Sequence, residues 1–257
     1  MASGRLGGKR CLVTGGSGGI GAVACKLFAQ EGARGVAVHY MGNRARGEKV
    51  AAACKGMGAD SFAVQADLTQ RAACDAMVEA CVRAWGGLDC LVCFAGDPWR
   101  SEDWYAPFPE LTDAAFEKPF RVDFLGSVHA AQAAIPVMQR GRWGRVVFIS
   151  SSPGLTGDVE GLSYLPAKAG LAVLAKSLAR LYGRDGVLVN AIAPGAVETD
   201  AMAGLTPDQA KGLAEETAVG RQAKAEEIAR VAAFLCSEEA SFLTGAAIPV
   251  DGGLSYH

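Results

Sequence analysis

Short, nearly continuous apolar runs alternate along the chain with longer stretches in which apolar residues recur every three or four positions. Runs of the first kind are typical of parallel strands that are covered on both faces. They predict strands at 9–14, 35–40, 61–66, 88–95, 145–150, 187–192 and 246–250. The longer stretches predict helices at about 19–31, 44–57, 70–85, 111–139, 163–183, 206–217 and 224–237. This alternation predicts an α/β fold, a Rossmann-type doubly wound parallel sheet of about seven strands with helices on both faces.

We expect one domain over residues 1–257, because no repeat, low-complexity tract or linker interrupts the alternation. The stretch at about 196–220 is expected to form the substrate loop. Pro119 lies inside the predicted helix 111–139 and predicts a kink or a break there, since proline removes a helical hydrogen bond.

Composition and charge exclude several function classes. The net charge of −2 favours neither nucleic acid nor an anionic membrane surface as a partner. No uncharged apolar run reaches the roughly 18 residues of a spanning helix, which favours a cytoplasmic protein. Cys90 and Cys93 have the C-x-x-C spacing, but residues three apart in a strand face opposite ways. We therefore expect buried thiols and no metal site.

Candidate catalytic residues lie between the fifth and sixth predicted strands. Tyr164 and Lys168 are four residues apart, so a phenol and an ammonium can meet on one helical face. Ser151 lies thirteen residues before the tyrosine, at the end of an apolar run. These groups suit protonation of a carbonyl oxygen as hydride arrives. An exposed helix face with no chemistry is the alternative interpretation of the tyrosine–lysine pair.

The first predicted strand runs into a glycine-rich turn, Thr14-Gly-Gly-Ser-Gly-Gly-Ile-Gly21, and then a helix. Backbone N–H groups of such a turn can approach a pyrophosphate, and the helix dipole favours the anion. The position of the turn at the first strand–helix junction is typical of dinucleotide-binding folds. A tight strand–helix loop without a ligand is the alternative.

The end of the second predicted strand discriminates between the two nicotinamide dinucleotides. Sites that prefer NAD(H) place a carboxylate there, whereas this chain has no acid before Glu48. Asn43 and Arg44 can donate hydrogen bonds to a 2′-phosphate. We therefore predict NADP(H) in preference to NAD(H). Alternatively, Arg44 and Arg46 are only the solvated start of a helix.

Motifs along the whole length resemble those of the short-chain dehydrogenase/reductase superfamily. Besides the glycine turn and the Ser151, Tyr164 and Lys168 set, they are Asp67-Leu68, Cys93-Phe-Ala-Gly96, Asn190-Ala-Ile-Ala-Pro-Gly-Ala-Val-Glu-Thr199 and Phe242-Leu-Thr-Gly245 with Val250-Asp-Gly-Gly253. The chain is similar to the 3-oxoacyl-carrier-protein reductase and trihydroxynaphthalene reductase branches in two features: it lacks an acid at the end of the second strand, and it has the Val-Asp-Gly-Gly ending. The resemblance implies a set of cofactor-binding residues: Gly15, Ser17, Gly19, Ile20, Gly21, Tyr40, Asn43, Arg44, Asp67, Leu68, Ala95, Gly96, Tyr164, Lys168, Pro194, Gly195, Val197 and Thr199.

The resemblance also implies roles for the catalytic residues. Tyr164 would be the general acid/base, and Ser151 would polarise the substrate carbonyl. Lys168 would hold the nicotinamide ribose and lower the pKa of Tyr164, because a nearby ammonium favours the phenolate. A homo-oligomer, a tetramer or a dimer, is implied as well, with the helices at 111–139 and 163–183 packed against a second subunit.

Two residues depart from the family pattern. Asp123 stands where the family has a helix asparagine that completes a catalytic tetrad. The carboxylate can strengthen the cationic state of Lys168, act as one more proton carrier, or mark a lost role; we expect retained activity. Phe94 replaces the second asparagine of an N-N-A-G motif, and its simplest interpretation is a strand residue that fills core volume.

The predicted function is that of an NADPH-dependent carbonyl reductase, or an alcohol dehydrogenase in reverse. The substrate is a small carbonyl compound or alcohol, apolar or aromatic, because Trp99, Trp104 and the segment after Thr199, with Met202 and Leu205, would wall the crevice. Arg100 could still meet a carboxylate or a carrier phosphate, so a carrier-bound 3-oxoacyl substrate stays open. The alternative function is an NADP-binding family member with weak or no redox activity, a sensor or partner subunit.

Overall fold

The computed structural model describes residues 4–200 and 205–255. The strands are Arg10–Thr14 (β1), Gly35–Tyr40 (β2), Asp60–Gln65 (β3), Cys90–Cys93 (β4), Gly144–Ile149 (β5), Val187–Pro194 (β6), Val197–Glu198 (β7), Ala223–Lys224 (β8) and Ala247–Val250 (β9). The α-helices are Gly19–Gln30 (α1), Arg44–Gly56 (α2), Arg71–Trp85 (α3), Ser101–Trp104 (α4), Asp113–Pro119 (α5), Gly126–Gly141 (α6), Ser152–Thr156 (α7), Leu165–Tyr182 (α8), Pro207–Glu215 (α9) and Ala225–Leu235 (α10). A π-helical turn, Phe120–Leu125, joins α5 to α6.

Within the described ranges, seven strands form one parallel sheet in the order β3-β2-β1-β4-β5-β6-β9. Strands β1, β2 and β3 follow one another towards one edge of the sheet. The chain then crosses back to place β4 on the other side of β1, so the strand order reverses between β1 and β4. This is the doubly wound topology expected from the apolar pattern. A crevice forms at such a reversal, outside the carboxyl ends of the strands, and ligands bind there in open α/β sheets.

The sheet carries a hydrophobic core on each face. Helices α1, α2 and α10 cover one face, where Phe28, Val50 and Ile228 are buried. Helices α3, α6 and α8 cover the other face, where Met77 and Leu171 are buried. The predicted arrangement with helices on both faces is therefore confirmed, and it leaves only the ends of the strands open to ligands.

The boundaries differ from the prediction mainly around β4. The predicted strand 88–95 shortens to Cys90–Cys93, and Asp89 before it pairs with the guanidinium of Arg10 at 2.7 Å. The predicted helix 111–139 is divided at Pro119, after which the helix widens into the π-helical turn. The short elements α4, α7, β7 and β8 have too few residues to show a periodicity and were not predicted.

The cysteines lie as the strand pattern predicts. Cys90 belongs to the core on one face of the sheet and Cys93 to the core on the other, and both are buried free thiols. Among the described residues, no helix is both long and apolar enough to cross a membrane. The same residues contain no group of three or more His, Cys, Asp or Glu side chains arranged to hold a metal ion.

Candidate active site

The predicted catalytic residues meet at the carboxyl ends of β4, β5 and β6. Ser151 lies two residues after the end of β5 and is the N-cap residue of α7. Tyr164 precedes α8 as its N-cap residue rather than lying inside the helix, and the backbone N–H of Lys168 donates to its carbonyl at 3.3 Å. Pro166 occupies the first turn of α8, where no intrahelical N–H bond is lost. The tyrosine and the lysine are therefore one turn apart, as their spacing predicts.

Lys168 and Asp123 form a buried ion pair behind Tyr164. The Nζ atom of Lys168 lies 2.8 Å from Oδ1 of Asp123, and the two side chains are 6% and 1% exposed. Nζ also donates to the carbonyl of Ile149 at 3.0 Å. Burial opposes the charged form of Lys168, but the attraction of Asp123 and Tyr164 outweighs it and raises the pKa of the lysine. Lys168 is therefore a fixed cation, as one of the interpretations of Asp123 expects.

Asp123 reaches this position because it lies in the π-helical turn. The turn follows Pro119, and π-helical turns are frequent where a helix must present a functional side chain. The second oxygen of Asp123, Oδ2, accepts a hydrogen bond from the backbone N–H of Asp97 at 2.8 Å. A Cβ on Gly96 would lie 2.9 Å from Oδ1, so glycine is needed where the strand end passes the carboxylate. One carboxylate thus joins the lysine to the segment that leaves β4.

The pKa of Tyr164 differs from the expectation. Burial raises it, the charge of Lys168 lowers it, and Asp123 raises it again; the net result is a pKa above the usual value for tyrosine. Lys168 acts in the predicted direction, but Asp123 neutralises part of its field. In this structure Tyr164 is a protonated phenol at neutral pH. Such a group can donate a proton to a carbonyl oxygen.

The structure separates Ser151 from the serines on either side of it. The hydroxyl of Ser150 donates to the carbonyl of Lys168 at 2.8 Å, and the hydroxyl of Ser152 donates to the carbonyl of Pro194 at 3.0 Å. Both are buried and hold the framework together. The hydroxyl of Ser151 instead lies near the phenol of Tyr164, whose pKa it lowers. The thirteen-residue spacing selected the serine that faces the phenol.

The glycine-rich turn packs against the end of β4 as a dinucleotide-binding turn must. Gly15 has φ +65°, and a Cβ there would lie 2.8 Å from the backbone N of Ala95. A Cβ on Gly21 would lie 2.4 Å from the carbonyl oxygen of Gly15, so α1 can approach the turn only with glycine at this position. By contrast, a Cβ on Gly19 would meet nothing closer than the side chain of Thr199, at 4.0 Å. The outer side of the turn is open.

His39 holds this turn in place, a role that no sequence motif indicated. Its Nδ1 accepts a hydrogen bond from the backbone N–H of Gly15 at 3.0 Å, so its Nε2 carries the proton and donates to the carbonyl of Ala66, also at 3.0 Å. Burial lowers the pKa of His39, which keeps the ring neutral. Because β2 is a short apolar run, nothing local marked its histidine as a functional residue.

The remaining predicted cofactor residues line the same edge of the sheet. Tyr40 ends β2 and is buried against Gly47, and Asp67 follows β3, where its Oδ1 accepts from the backbone N–H of Thr69 at 3.0 Å. Pro194 ends β6 and Gly195 follows it. The others are Ser17 and Ile20 in and after the glycine turn, Leu68 after β3, Gly96 after β4, and Val197 in β7. Phe94 packs against a core, as its simplest interpretation expects.

At the other end of the crevice, Asn43 and Arg44 are already engaged. Asn43 is the N-cap residue of α2, and its Oδ1 accepts from the backbone N–H of Arg46 at 3.0 Å. The Nε of Arg44 donates to Glu48 at 2.7 Å on an exposed face of the helix. Neither side chain is directed at the glycine turn by a contact in this structure.

Arg46 lies closer to the glycine turn than Arg44 does. A Cβ on Gly18 would be 3.9 Å from Nη1 of Arg46, whose other terminal nitrogen pairs with Asp200. Arg46 lines a cavity of about 510 Å³. Other residues lining this cavity are Ser17, Gly18, Gly19, Lys26, Lys49 and Thr199. Its cations come from α1, α2 and, with Lys224, β8, and the carboxylates of Glu198, Asp200 and Glu226 line the cavity as well.

The segment between β4 and α5, here called the lid, contacts the predicted catalytic residue Tyr164. Trp104 lies with its ring centroid 5.7 Å from that of Tyr164. Arg100 pairs with Asp97 and, at 2.8 Å, with Asp103. Leu205 is half-buried, and Met202 lies outside the described residues.

Comparison with known proteins places this geometry in a family. A family model described as enoyl-(acyl carrier protein) reductase matches residues 15–255. A solved structure of a putative short-chain dehydrogenase/reductase from Burkholderia xenovorans superposes with a TM-score of 0.85 at 30% identity, covering 96% of this chain and 98% of that one. The chain belongs to the short-chain dehydrogenase/reductase family.

Two curated relatives lie within this family. The chain is 37% identical to cis-4-hydroxycyclohexanecarboxylate dehydrogenase of Sinomonas cyclohexanicum, covering 94% of both chains. It is 36% identical to the 3-oxoacyl-(acyl-carrier-protein) reductase FabG of Aquifex aeolicus (strain VF5), covering 97% of this chain and 98% of the relative. The short-chain dehydrogenase/reductase resemblance seen in the motifs is confirmed, and the chain is an oxidoreductase of the type that interconverts alcohols and carbonyl compounds.

Proposed function

We propose that this protein is an NADP(H)-dependent carbonyl reductase, working in reverse as an alcohol dehydrogenase. The observation that carries the proposal is the meeting of Ser151, Tyr164 and the Lys168–Asp123 pair at the strand ends beside the glycine turn. Both curated relatives are named for this kind of chemistry, one as a dehydrogenase of a ring alcohol and one as a reductase of an oxoacyl group.

The residues present fit a nicotinamide dinucleotide. The outer side of the glycine turn is open beyond Gly18 and Gly19, and the first N–H groups of α1 have no acceptor within the helix. Amides in that position suit a pyrophosphate. Thr199 borders the same space, and Asp67, Ala95 and Val197 would line the rest of the site. The bound cofactor would supply the hydride.

The protein's own residues would handle the proton. Ser151 would donate a hydrogen bond to the carbonyl oxygen and fix its position next to Tyr164. Tyr164, a protonated phenol, would donate its proton to that oxygen as the alcohol forms. Lys168 would stabilise the phenolate that is left, and Asp123 would keep Lys168 charged and oriented. At neutral pH Tyr164 holds the proton that reduction requires.

Preference for NADP(H) rests on charge at the adenosine end. No carboxylate follows β2 before Glu48, Arg44 lies in the first turn of α2, and Arg46 and Lys49 of the same helix line the cavity beside the glycine turn. Cations in this position would bind a 2′-phosphate that a carboxylate would repel. The eight cysteines are buried free thiols, which is in keeping with a reducing cytoplasmic compartment.

A homo-oligomer, dimer or tetramer, is part of the proposal. Phe120 in the π-helical turn and Val173 and Leu181 on α8 expose 46%, 62% and 64% of their surface. Apolar side chains on these neighbouring elements suit burial against a second subunit. Light scattering after size exclusion should therefore give a mass of two or four chains, and a single-chain mass would contradict this part of the proposal.

The experiment follows the absorbance of NADPH with a panel of ketones, comparing wild type with Tyr164→Phe. We expect turnover by the wild type and a loss of about 10²- to 10⁴-fold in the variant, the range for removal of a general acid. The alternative, a nucleotide-binding protein with weak or no redox activity, has some support from the partial neutralisation of Lys168 by Asp123. It predicts NADPH binding without turnover in both proteins.

A further inference from the structure

The lid places one aromatic ring directly against the catalytic tyrosine. Trp104 ends the short helix α4, and its ring is tilted by 51° to the ring of Tyr164 at a centroid distance of 5.7 Å. Tyr164 must present its hydroxyl to the carbonyl oxygen of the substrate. A group attached to that carbonyl would then lie near the indole of Trp104.

Contacts with the loop before Tyr164 fix the position of Trp104. Its Nε1 donates to Glu160 at 3.1 Å, and its carbonyl accepts from the backbone N–H of Gly161 at 2.9 Å. Gly161 has φ +63°, and a Cβ there would lie 2.8 Å from the indole ring. The position of Trp104 is therefore fixed by the hydrogen bond to Glu160, by the backbone hydrogen bond to Gly161, and by close packing of the indole on Gly161, which only glycine permits.

The charge of the lid opposes an anionic substrate. Arg100 lies between the carboxylates of Asp97 and Asp103, so the three side chains together carry a net negative charge. Asp97 is also the residue whose N–H donates to Asp123, which places this cluster beside the catalytic lysine. Its Nε and Nη2 atoms bind these two carboxylates, so the guanidinium of Arg100 attracts a carboxylate or a carrier phosphate less than an unpaired arginine would. This arrangement opposes the role for Arg100 that its position in the sequence left open.

We propose that Trp104 determines the substrate specificity of this site and selects an uncharged ketone or secondary alcohol whose reacting carbon belongs to a ring. The inference rests on the proposed function and specifies its substrate class. A flat or chair-shaped ring can lie against the indole while its oxygen reaches Tyr164 and Ser151, whereas a flexible chain loses more conformational freedom for the same contact. The anionic lid adds discrimination against charged compounds.

The test compares reduction of cyclohexanone, 2-octanone and 4-oxocyclohexanecarboxylate by wild type, Trp104→Leu and Trp104→Phe. We expect the wild type to prefer cyclohexanone. In Trp104→Leu the kcat/KM for cyclohexanone should fall by about 10- to 100-fold, mainly through KM, in line with the loss of pocket contacts. The value for 2-octanone should change little, and Trp104→Phe should recover most of the ring preference. Thermal unfolding and NADPH affinity of the variants check that the fold is intact.

The charge is tested separately with Asp103→Asn. Removing one carboxylate should raise kcat/KM for 4-oxocyclohexanecarboxylate by about two- to fivefold, as expected for a partly exposed ion pair, and leave cyclohexanone unchanged. Equal losses with ring and linear ketones in Trp104→Leu, or a wild-type preference for the carboxylate, would overturn the inference but not the proposed function. A wild type that reduces no ketone would overturn the proposed function, and the inference with it.

Discussion

The two ends of the cofactor crevice are built on different principles. At the catalytic end, Lys168 and Asp123 are buried and paired at 2.8 Å. At the adenosine end, Arg44 and Arg46 are exposed, and their partners are surface carboxylates. Charges in a buried site interact strongly, and solvent weakens those on the surface. Changes at the first end should therefore alter stability and proton transfer, whereas changes at the second should alter only which cofactor is chosen.

The largest expected effect comes from breaking the buried pair. Lys168→Met leaves the Asp123 carboxylate buried without its cation, and it should lower the free energy of unfolding by about 3–5 kcal/mol. Turnover should be lost as well. Denaturant unfolding followed by circular dichroism measures the change. Lys176→Met, on the exposed face of the same helix α8, is the matched control and should stay within about 0.5 kcal/mol of wild type. An equal loss in both variants would show that the pair is not special.

A smaller effect is expected from Asp123→Asn, which keeps the shape but removes the charge and leaves one acceptor oxygen for Lys168 and the N–H of Asp97. Because Asp123 raises the pKa of Tyr164, the variant should have a lower tyrosine pKa. Alcohol oxidation needs the phenolate, so the rising limb of its pH–rate profile should move to lower pH. Reduction at neutral pH should keep a similar rate.

Asp113→Asn, at the exposed start of α5, is the control for Asp123→Asn and should leave the pH profile in place. A large gain in turnover in Asp123→Asn with unchanged cofactor affinity would mean that the aspartate had lost the family's role. An unmoved pH limb would contradict the coupling between Asp123 and Tyr164.

The smallest effects belong to the adenosine end. Arg46→Ala should raise the KM for NADPH by about tenfold while the KM for NADH changes by less than about twofold, because a charged hydrogen bond to the 2′-phosphate is lost. Arg44→Ala should act in the same direction but more weakly, since Arg44 is exposed and bound to Glu48. Steady-state kinetics with both cofactors measure this. Equal effects on NADPH and NADH would remove the assignment of these arginines to the phosphate.

The same contrast explains what the sequence could predict. Local sequence patterns encode the strands, the glycine turn and the spacing of Ser151, Tyr164 and Lys168, so these features can be predicted without a structure. His39 could not be found this way, because its role depends on Gly15 and Ala66, which belong to neighbouring strands. The expected lowering of the Tyr164 pKa was wrong for a related reason. The expectation took only Lys168 into account, whereas burial and Asp123 both raise the pKa of Tyr164.

At the adenosine end, spacing alone could not distinguish two arginines. Which of them approaches the glycine turn depends on the residue at which α2 begins, and that start is set by the capping bond of Asn43. The only local signal for the π-helical turn was Pro119. It indicated that the helix would change, but not that Asp123 would be turned towards Lys168.

Asp123 also sets a boundary for exchanging parts between relatives. One of its oxygens holds Lys168 and the other holds the backbone of Asp97, four residues after the end of β4. A foreign lid grafted between Trp99 and Phe108 would replace the substrate-facing surface and leave both bonds in place. A graft that began one residue earlier than Asp97 would disturb the lysine itself. The lid should therefore be exchangeable between relatives, provided that the graft begins after Asp97 and keeps the two bonds of Asp123.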